Sequence, residues 1–268
     1  MIVANTAQPV GVFDSGVGGL TVVNKLRHLL PHEDIVYLGD TKRNPYGIRT
    51  REEILSFTRE IVAFLAGQHV KLIAFACNTA TATAYDTVIN ETDIPLLGMS
   101  RGIKTAKDTT TEKRIAVFAT PLTIANHIHK KEAEKTDPFL TIVEQPCASL
   151  AGLIERGKLD GPEIREAVRD DVAPVLKARV DTAIFGCTHY PFVRHIFEEL
   201  CGESVVFVDP AHETALQALA VLKKKNLLNT QRRPGYLHLC FTAEAGRGAA
   251  LASELISPEE FTAAEVSL

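Results

Sequence analysis

Two of the five cysteines in this sequence stand in a setting the other three lack. Cys77 ends the apolar run 72–76 and is followed at once by Asn78-Thr79; Cys187 ends the run 182–186 and is followed by Thr188-His189. A short apolar run followed by polar residues and then a helical pattern reads as a strand ending just before a helix. Ligands bind outside the carboxyl ends of strands in open parallel sheets. A helix N-terminus there favours thiolate and offers backbone N–H groups to a carboxylate. Two such thiols suit one kind of chemistry. One removes a proton from a carbon while the other delivers a proton to the opposite face, and configuration inverts without a cofactor. Thiols titrate near ~8.5, so modest perturbation leaves one ionised and the other protonated. Cys147, Cys201 and Cys240 lack these neighbours and are expected to be inert core thiols.

Other residues define what the chemistry is not. Gly11-Val-Phe-Asp-Ser-Gly-Val-Gly-Gly19 is a glycine-rich strand-to-helix turn. It fails the G-x-G-x-x-G dinucleotide template because Thr21 stands where the last glycine belongs, and Asp14 would repel a pyrophosphate. The turn fits close approach to a small ligand, with Asp14 near a thiol or an ammonium group; Asp14 and Ser15 would also serve as ordinary helix caps. His189 beside Cys187 suggests a thiol hydrolase, a reading that leaves Cys77 and its matching setting without a role. No C-x-x-C pair supports a redox protein and no Cys/His spacing supports a metal site. His127 and His129 fall in a helical pattern on different faces and read as solvated surface.

The elements that would position these residues alternate between strand and helix, the pattern of parallel α/β sheets. Strands are expected at 10–13, 35–38, 72–76, 96–97, 115–119, 140–143, 182–185, 205–208 and 237–241. Helices are expected at 20–30, 51–66, 80–89, 122–134, 162–177, 191–200, 213–225 and 244–255. An internal repeat runs through them. Val10-Gly-Val-Phe-Asp-Ser15 resembles Ile115-Ala-Val-Phe-Ala-Thr120, and Ile73-Ala-Phe-Ala-Cys-Asn-Thr79 resembles Ala183-Ile-Phe-Gly-Cys-Thr-His189, in the same order and at nearly the same offset. The expected division is a first α/β domain of residues 1–98 plus 209–268, carrying Asp14 and Cys77. A second domain, 99–208, carries Cys187 and His189. The charged stretch 104–113 marks the junction.

With 46% hydrophobic and 23% charged residues over 268, the chain has the composition of a globular protein with a sizeable core. A net charge of −4 without long single-sign runs gives no reason to expect nucleic acid or an anionic membrane. No apolar stretch has bilayer length, and the first residues lack the pattern of a signal peptide. A reducing cytoplasm and a small-molecule substrate are the expectation.

Taken together, G-V-F-D-S-G-V-G-G-L-T, Y-L-G-D-T-K-R-N-P-Y-G, A-C-N-T-A and G-C-T-H-Y-P make this sequence resemble the bacterial glutamate racemases of the aspartate/glutamate racemase family. The resemblance implies two pseudo-symmetric parallel-sheet α/β domains with the active site in the cleft between them. It implies no pyridoxal phosphate, metal or nucleotide, a homodimer, and D-glutamate made for peptidoglycan. It makes Cys77 and Cys187 the catalytic thiols, the first acting on D-glutamate and the second on L-glutamate. Asp14 would assist Cys77, His189 would assist Cys187, and Glu155 would belong to the second half-site. Substrate would meet Asp14, Ser15, Tyr46, Gly47, Asn78, Thr79, Thr120, Thr188 and His189. The sequence departs from the family at Met99-Ser-Arg-Gly102, at Ala119 where glycine is usual, at Cys147-Ala-Ser-Leu150 and at Asp209-Pro-Ala-His212. A racemase for aspartate and an amino-acid-binding protein with an idle cleft are the rival readings.

Overall fold

Ten strands, every pairing parallel, form two sheets in the computed structural model, which describes residues 5–268. In chain order they are β1 (Val10–Asp14), β2 (Ile35–Gly39), β3 (Leu72–Phe75), β4 (Leu96–Leu97), β5 (Arg114–Ala119), β6 (Thr141–Pro146), β7 (Thr182–Phe185), β8 (Val206–Val208), β9 (Leu237–Phe241) and β10 (Thr262–Glu265). One compact unit runs to Met99 and resumes from Ala211 to Leu268; the other is Ser100–Pro210. The first holds a six-stranded sheet, β10-β9-β2-β1-β3-β4, and the second a four-stranded sheet, β6-β5-β7-β8.

The sequence repeat is a repeat of hydrogen bonds. Phe13 of β1 registers with Phe75 of β3, and Phe118 of β5 with Phe185 of β7. One residue on, the Ala76 N–H donates to Phe13 O at 2.8 Å and the Gly186 N–H to Phe118 O at 2.8 Å. On the other side, the Asp40 N–H donates to Asp14 O (3.0 Å) and the Cys147 N–H to Ala119 O (2.8 Å). β1, β2 and β3 therefore correspond to β5, β6 and β7. In each sheet the first strand is flanked by the second on one side and the third on the other, which makes a topological switch point where strand order reverses. The carboxyl ends there carry Asp14 and Cys77 in one unit, Thr120 and Cys187 in the other.

Fully buried, strand-length apolar runs explain β1, β2, β3 and β7, as parallel sheets covered on both faces require. Helix Arg51–Gly67 starts at a capping box in which Thr50 and Glu53 satisfy each other's backbone N–H groups. Helix Pro162–Lys177 starts with proline in its first turn. The second core closes on a cluster of rings, Phe118, Phe185, Phe197 and Phe207, with centroids 5.0–6.4 Å apart. Ala119 packs close to Gly186, where a Cβ would lie 3.0 Å from that of Ala119.

Several expectations need correction. The helix expected at 122–134 is two helices, Pro121–Ala125 and Ile128–Thr136, broken at His127 in the left-handed region (φ 51). His129 is not solvated surface: it is fully buried, and desolvation with Arg101 nearby lowers its pKa to about 3. His127 is exposed and pairs with Glu144 at 2.6 Å. The charged stretch 104–113 overlaps a helix, Ile103–Thr109, whose Ile103 and Ala106 are buried. Helix Leu150–Glu155 and strand β10 had no counterpart among the expected elements. Among the described residues, no helix is long and apolar enough to cross a membrane.

Candidate functional site

Cys77 is the N-cap of helix Asn78–Val88 and nearly wholly buried. Its Sγ accepts the Ala80 N–H at 3.5 Å. The expected stabilisation of thiolate by the helix end does not prevail. Burial pushes the thiol well above its ordinary pKa and the Asp14 carboxylate pushes it further, while backbone N–H groups of Ala80 and Ser15 only partly oppose this. Cys77 is thus held as a thiol beside a carboxylate.

Asp14, fully buried, is fixed by the turn it closes: its Oδ2 accepts the Gly19 N–H at 2.7 Å and its Oδ1 accepts the Ser15 hydroxyl at 3.4 Å. Residue 19 must be glycine, since a Cβ would meet that of Asp14 at 2.7 Å. The capping role and a place beside the thiol therefore coexist. Asn44 donates to Ser15 O (3.1 Å) and Oγ (3.3 Å), tying the loop before Tyr46 to this turn. Tyr46 donates its hydroxyl to Asp40 Oδ2 at 2.5 Å, and Asp40 also accepts from Arg43 Nε (2.6 Å) and Thr242 Oγ1 (2.9 Å). The phenol is committed to Asp40. Asn78 is buried with both Nδ2 and Oδ1 unpartnered. Leaving such an amide unsatisfied costs about 1–3 kcal/mol, which a polar ligand would recover. Thr79 is buried next to it.

The second half-site is built differently. After Cys187 the chain passes through Thr188 and His189 into a short 3-10 turn, Tyr190–Val193, and the α-helix begins only at Arg194. No α-helix terminus caps this sulfur, contrary to expectation; His189 takes that place. Its Nδ1 lies 3.6 Å from Cys187 Sγ and its Nε2 2.6 Å from Glu155 Oε1. Burial alone would lower the imidazole's pKa, but its bonds to Cys187 and Glu155 outweigh this and raise it well above the usual value. The raised pKa favours the protonated ring, whose Nε2 is held by the last residue of helix Leu150–Glu155. Thr120, the counterpart of Ser15, caps helix Pro121–Ala125 and shares a hydroxyl–hydroxyl bond of 3.0 Å with Thr123. Thr188 is buried.

All five cysteines are free and buried. Burial raises Cys201 and Cys240 to about 11, as expected of inert thiols. Cys147 is less isolated and lies within the electrostatic reach of Asp171, Tyr190 and Cys187. Among the described residues, no group of three His, Cys, Asp or Glu side chains is arranged to hold a metal ion. Asp40, Asn44 and Tyr190 escaped the reading of the sequence as site residues, although each lies inside or beside a motif that drew notice.

A duplicated α/β plan with a thiol at each switch point and an acid or base beside each thiol defines the class. The model of the Asp/Glu/Hydantoin racemase family matches residues 19–218, and the chain belongs to that family. It is 38% identical over 260 residues to a glutamate racemase of Lactobacillus helveticus, covering 97% of each chain. It is 42% identical over 228 residues to one of Herpetosiphon aurantiacus, covering 85% of this chain and 90% of the relative. Among solved structures, a glutamate racemase from Bacillus anthracis matches with a TM-score of 0.90 at 30% identity over 98% of both chains. One from Francisella tularensis, in complex with D-glutamate, matches at 0.86 and 29% over 98% of both.

Proposed function

We propose that this protein interconverts L- and D-glutamate with Cys77 and Cys187 as the two bases, without cofactor, and supplies D-glutamate for peptidoglycan from the cytoplasm as a homodimer. One observation carries the reading. The two thiols occupy equivalent positions of a repeated strand ladder, with a carboxylate beside one and an imidazolium beside the other. Matched thiols with opposite partners suit a reaction that takes a proton on one face and gives one on the other. Family membership and the glutamate racemases among its relatives support glutamate as the substrate.

In the L-to-D direction, Cys187, with His189 beside it, removes the α-proton of L-glutamate. Cys77, held as a thiol, protonates the opposite face. The turnover leaves a proton on Cys187 and takes one from Cys77, and exchange of both sulfurs with solvent restores the starting state; in the reverse direction Asp14 assists Cys77 as base. Tyr46 and Gly47 through their backbone, together with Ser15, Asn78, Thr79, Thr120 and Thr188, bind the carboxylates and ammonium group. Glu155 holds His189 in place.

Proton NMR of the α-position in deuterium oxide, at low conversion and from each enantiomer, tests this. Two bases put deuterium into product and leave unreacted substrate unlabelled; equal early labelling of both defeats the assignment. Running the assay with aspartate beside glutamate decides the substrate, and glutamate is expected to be preferred.

A further inference from the structure

We propose that Thr242, directly after β9, is a positioning residue for the loop that carries Tyr46 and Gly47, acting through Asp40. The proposal rests on the reading above of Tyr46 and Gly47 as substrate-binding residues, and it gives a role to a strand which that reading leaves unused.

The two units differ at the edge of the repeat. β6, the counterpart of β2, ends its sheet, whereas β2 is followed by β9 and β10. β9 runs parallel to β2 from the pair Ile35 and Leu237 to the pair Gly39 and Phe241. Gly39 also registers with Asp14, so β9 finishes at the end of the sheet that carries the first half-site. The finish is tight: a Cβ on Gly39 would lie 2.4 Å from Gly16 O and 2.8 Å from the Phe241 ring. One residue on, Thr242 is bonded to the chain after β2 in three ways. Its N–H donates to Gly39 O at 3.1 Å, its hydroxyl donates to Asp40 Oδ1 at 2.9 Å, and its Oγ1 accepts the Lys42 N–H at 2.9 Å. Next to it, the Thr41 hydroxyl donates to Ala243 O at 2.5 Å and accepts the Ala243 N–H at 2.9 Å.

These bonds converge on Asp40, which is fully buried. Its Oδ2 holds the Tyr46 hydroxyl at 2.5 Å and Arg43 Nε at 2.6 Å, while Oδ1 holds Thr242. Arg43 donates Nη1 to Glu60 at 2.6 Å and lies 4.2 Å over the Phe57 ring, whose centroid is 5.7 Å from that of Tyr46. A carboxylate held by three side-chain donors, one of them charged, has little freedom to rotate. The place of Thr242 therefore sets the place of the Tyr46 hydroxyl, and with it the short turn Tyr46–Ile48. In the second unit the residue equivalent to Asp40 is Cys147, and Tyr190 donates to its backbone carbonyl at 3.2 Å. A carboxylate rooted in a further strand belongs to the first unit.

Steady-state kinetics of the full-length protein test this with two variants. Thr242→Val keeps the shape and removes the hydroxyl; Thr242→Ser keeps the hydroxyl. Thr242→Val should raise KM roughly three- to tenfold for both enantiomers with kcat within about twofold, since a misplaced binding loop weakens substrate contacts while both thiols keep their partners. Thr242→Ser should bring KM back to within about twofold of wild type. A merely structural role would lower the unfolding temperature and leave KM where it was. Combining Thr242→Val with Tyr46→Phe tests the route through Asp40: the double variant should raise KM no further than the larger single change. A wild-type KM in Thr242→Val, no rescue by Thr242→Ser, or multiplied effects in the double variant overturns the proposal. If Thr242→Val does not fold, by circular dichroism, Thr41→Val cuts the neighbouring bonds to Ala243 instead, and a wild-type KM there overturns it. Failure of the wild type to racemise glutamate would sink the underlying reading, a separate result visible before any variant is made.

Discussion

Beside Cys77 stands a carboxylate and beside Cys187 an imidazole of raised pKa, although the strand ladder leading to the two sulfurs follows one hydrogen-bond pattern. Asp14 is pinned by the amide of Gly19, within its own turn. His189 is pinned from a separate helix through Glu155. The strand ladder is thus repeated, while the turn after each sulfur and the charge beside it differ. The asymmetry of side chains on a symmetric frame sets Cys77 beside a carboxylate that raises its pKa and Cys187 beside a histidine.

The largest effect should come from the sulfurs themselves. Cys77→Ala and Cys187→Ala should each lower racemisation by at least the ~10²–10⁴-fold that one acid or base contributes. Cys240→Ala, in the same unit as Cys77 but inside β9, should stay within about twofold of wild type, since it leaves both acid–base partners in place. Unequal losses for the two site thiols, with one variant keeping a tenth of activity, would break the equivalence.

Next come the partners. Asp14→Asn and His189→Asn should each cost roughly 10–100-fold in kcat, within the range for assisting proton transfer. The primary isotope effect should rise chiefly for D-glutamate in the first and for L-glutamate in the second. A symmetric rise in both would mean that the partners do not belong to separate thiols.

Glu155→Gln sharpens the same contrast through pH. Glu155 helps raise the His189 pKa, so its loss lowers that pKa and the imidazolium disappears at a lower pH. The alkaline limb of kcat/KM should move toward neutrality, with a few-fold loss at pH 7.5. A limb that stays in place would remove Glu155 from the half-site.

The smallest effect should be on stability. Tyr46→Phe takes a donor from fully buried Asp40 and should cost about 1–3 kcal/mol. Tyr190→Phe frees only a backbone carbonyl and should cost about 0.5–1.5 kcal/mol. Thermal unfolding of the two variants gives the order, and the reverse order would contradict the stronger anchoring of the first unit.

Much of this was legible in the residues. Strands buried on both faces announce themselves as apolar runs, which is why β2 and β7 stood out. The repeat was visible because Phe13 and Phe118, and Cys77 and Cys187, keep their places in the ladder. What stayed hidden is non-local. Strand β10, Thr-Ala-Ala-Glu, is a largely exposed edge with no apolar signature. His127 breaks a helix in a left-handed conformation that a non-glycine residue seldom adopts. His129 looked solvated because only the fold shows what covers it. The high pKa of the Cys77 thiol depends on burial and then on a carboxylate far away in the chain, and the clamp on His189 depends on the distant Glu155. Spacing along the chain reports neither.

The broken path of the first unit also has a consequence for how the protein comes off the ribosome. Ser100–Pro210 is one continuous stretch, so β5 to β8 can find one another as soon as they emerge. The sheet that carries Cys77 cannot be completed then: β2 must wait for β9, and β9 for β10, both made after the whole second unit. Through that interval β2 presents an unpaired edge of apolar sequence, the kind of surface that invites pairing with other chains. The older half of the nascent chain is the later to mature, and a slow or interrupted translation of the tail should be felt as aggregation at β2 rather than as damage to the Cys187 half.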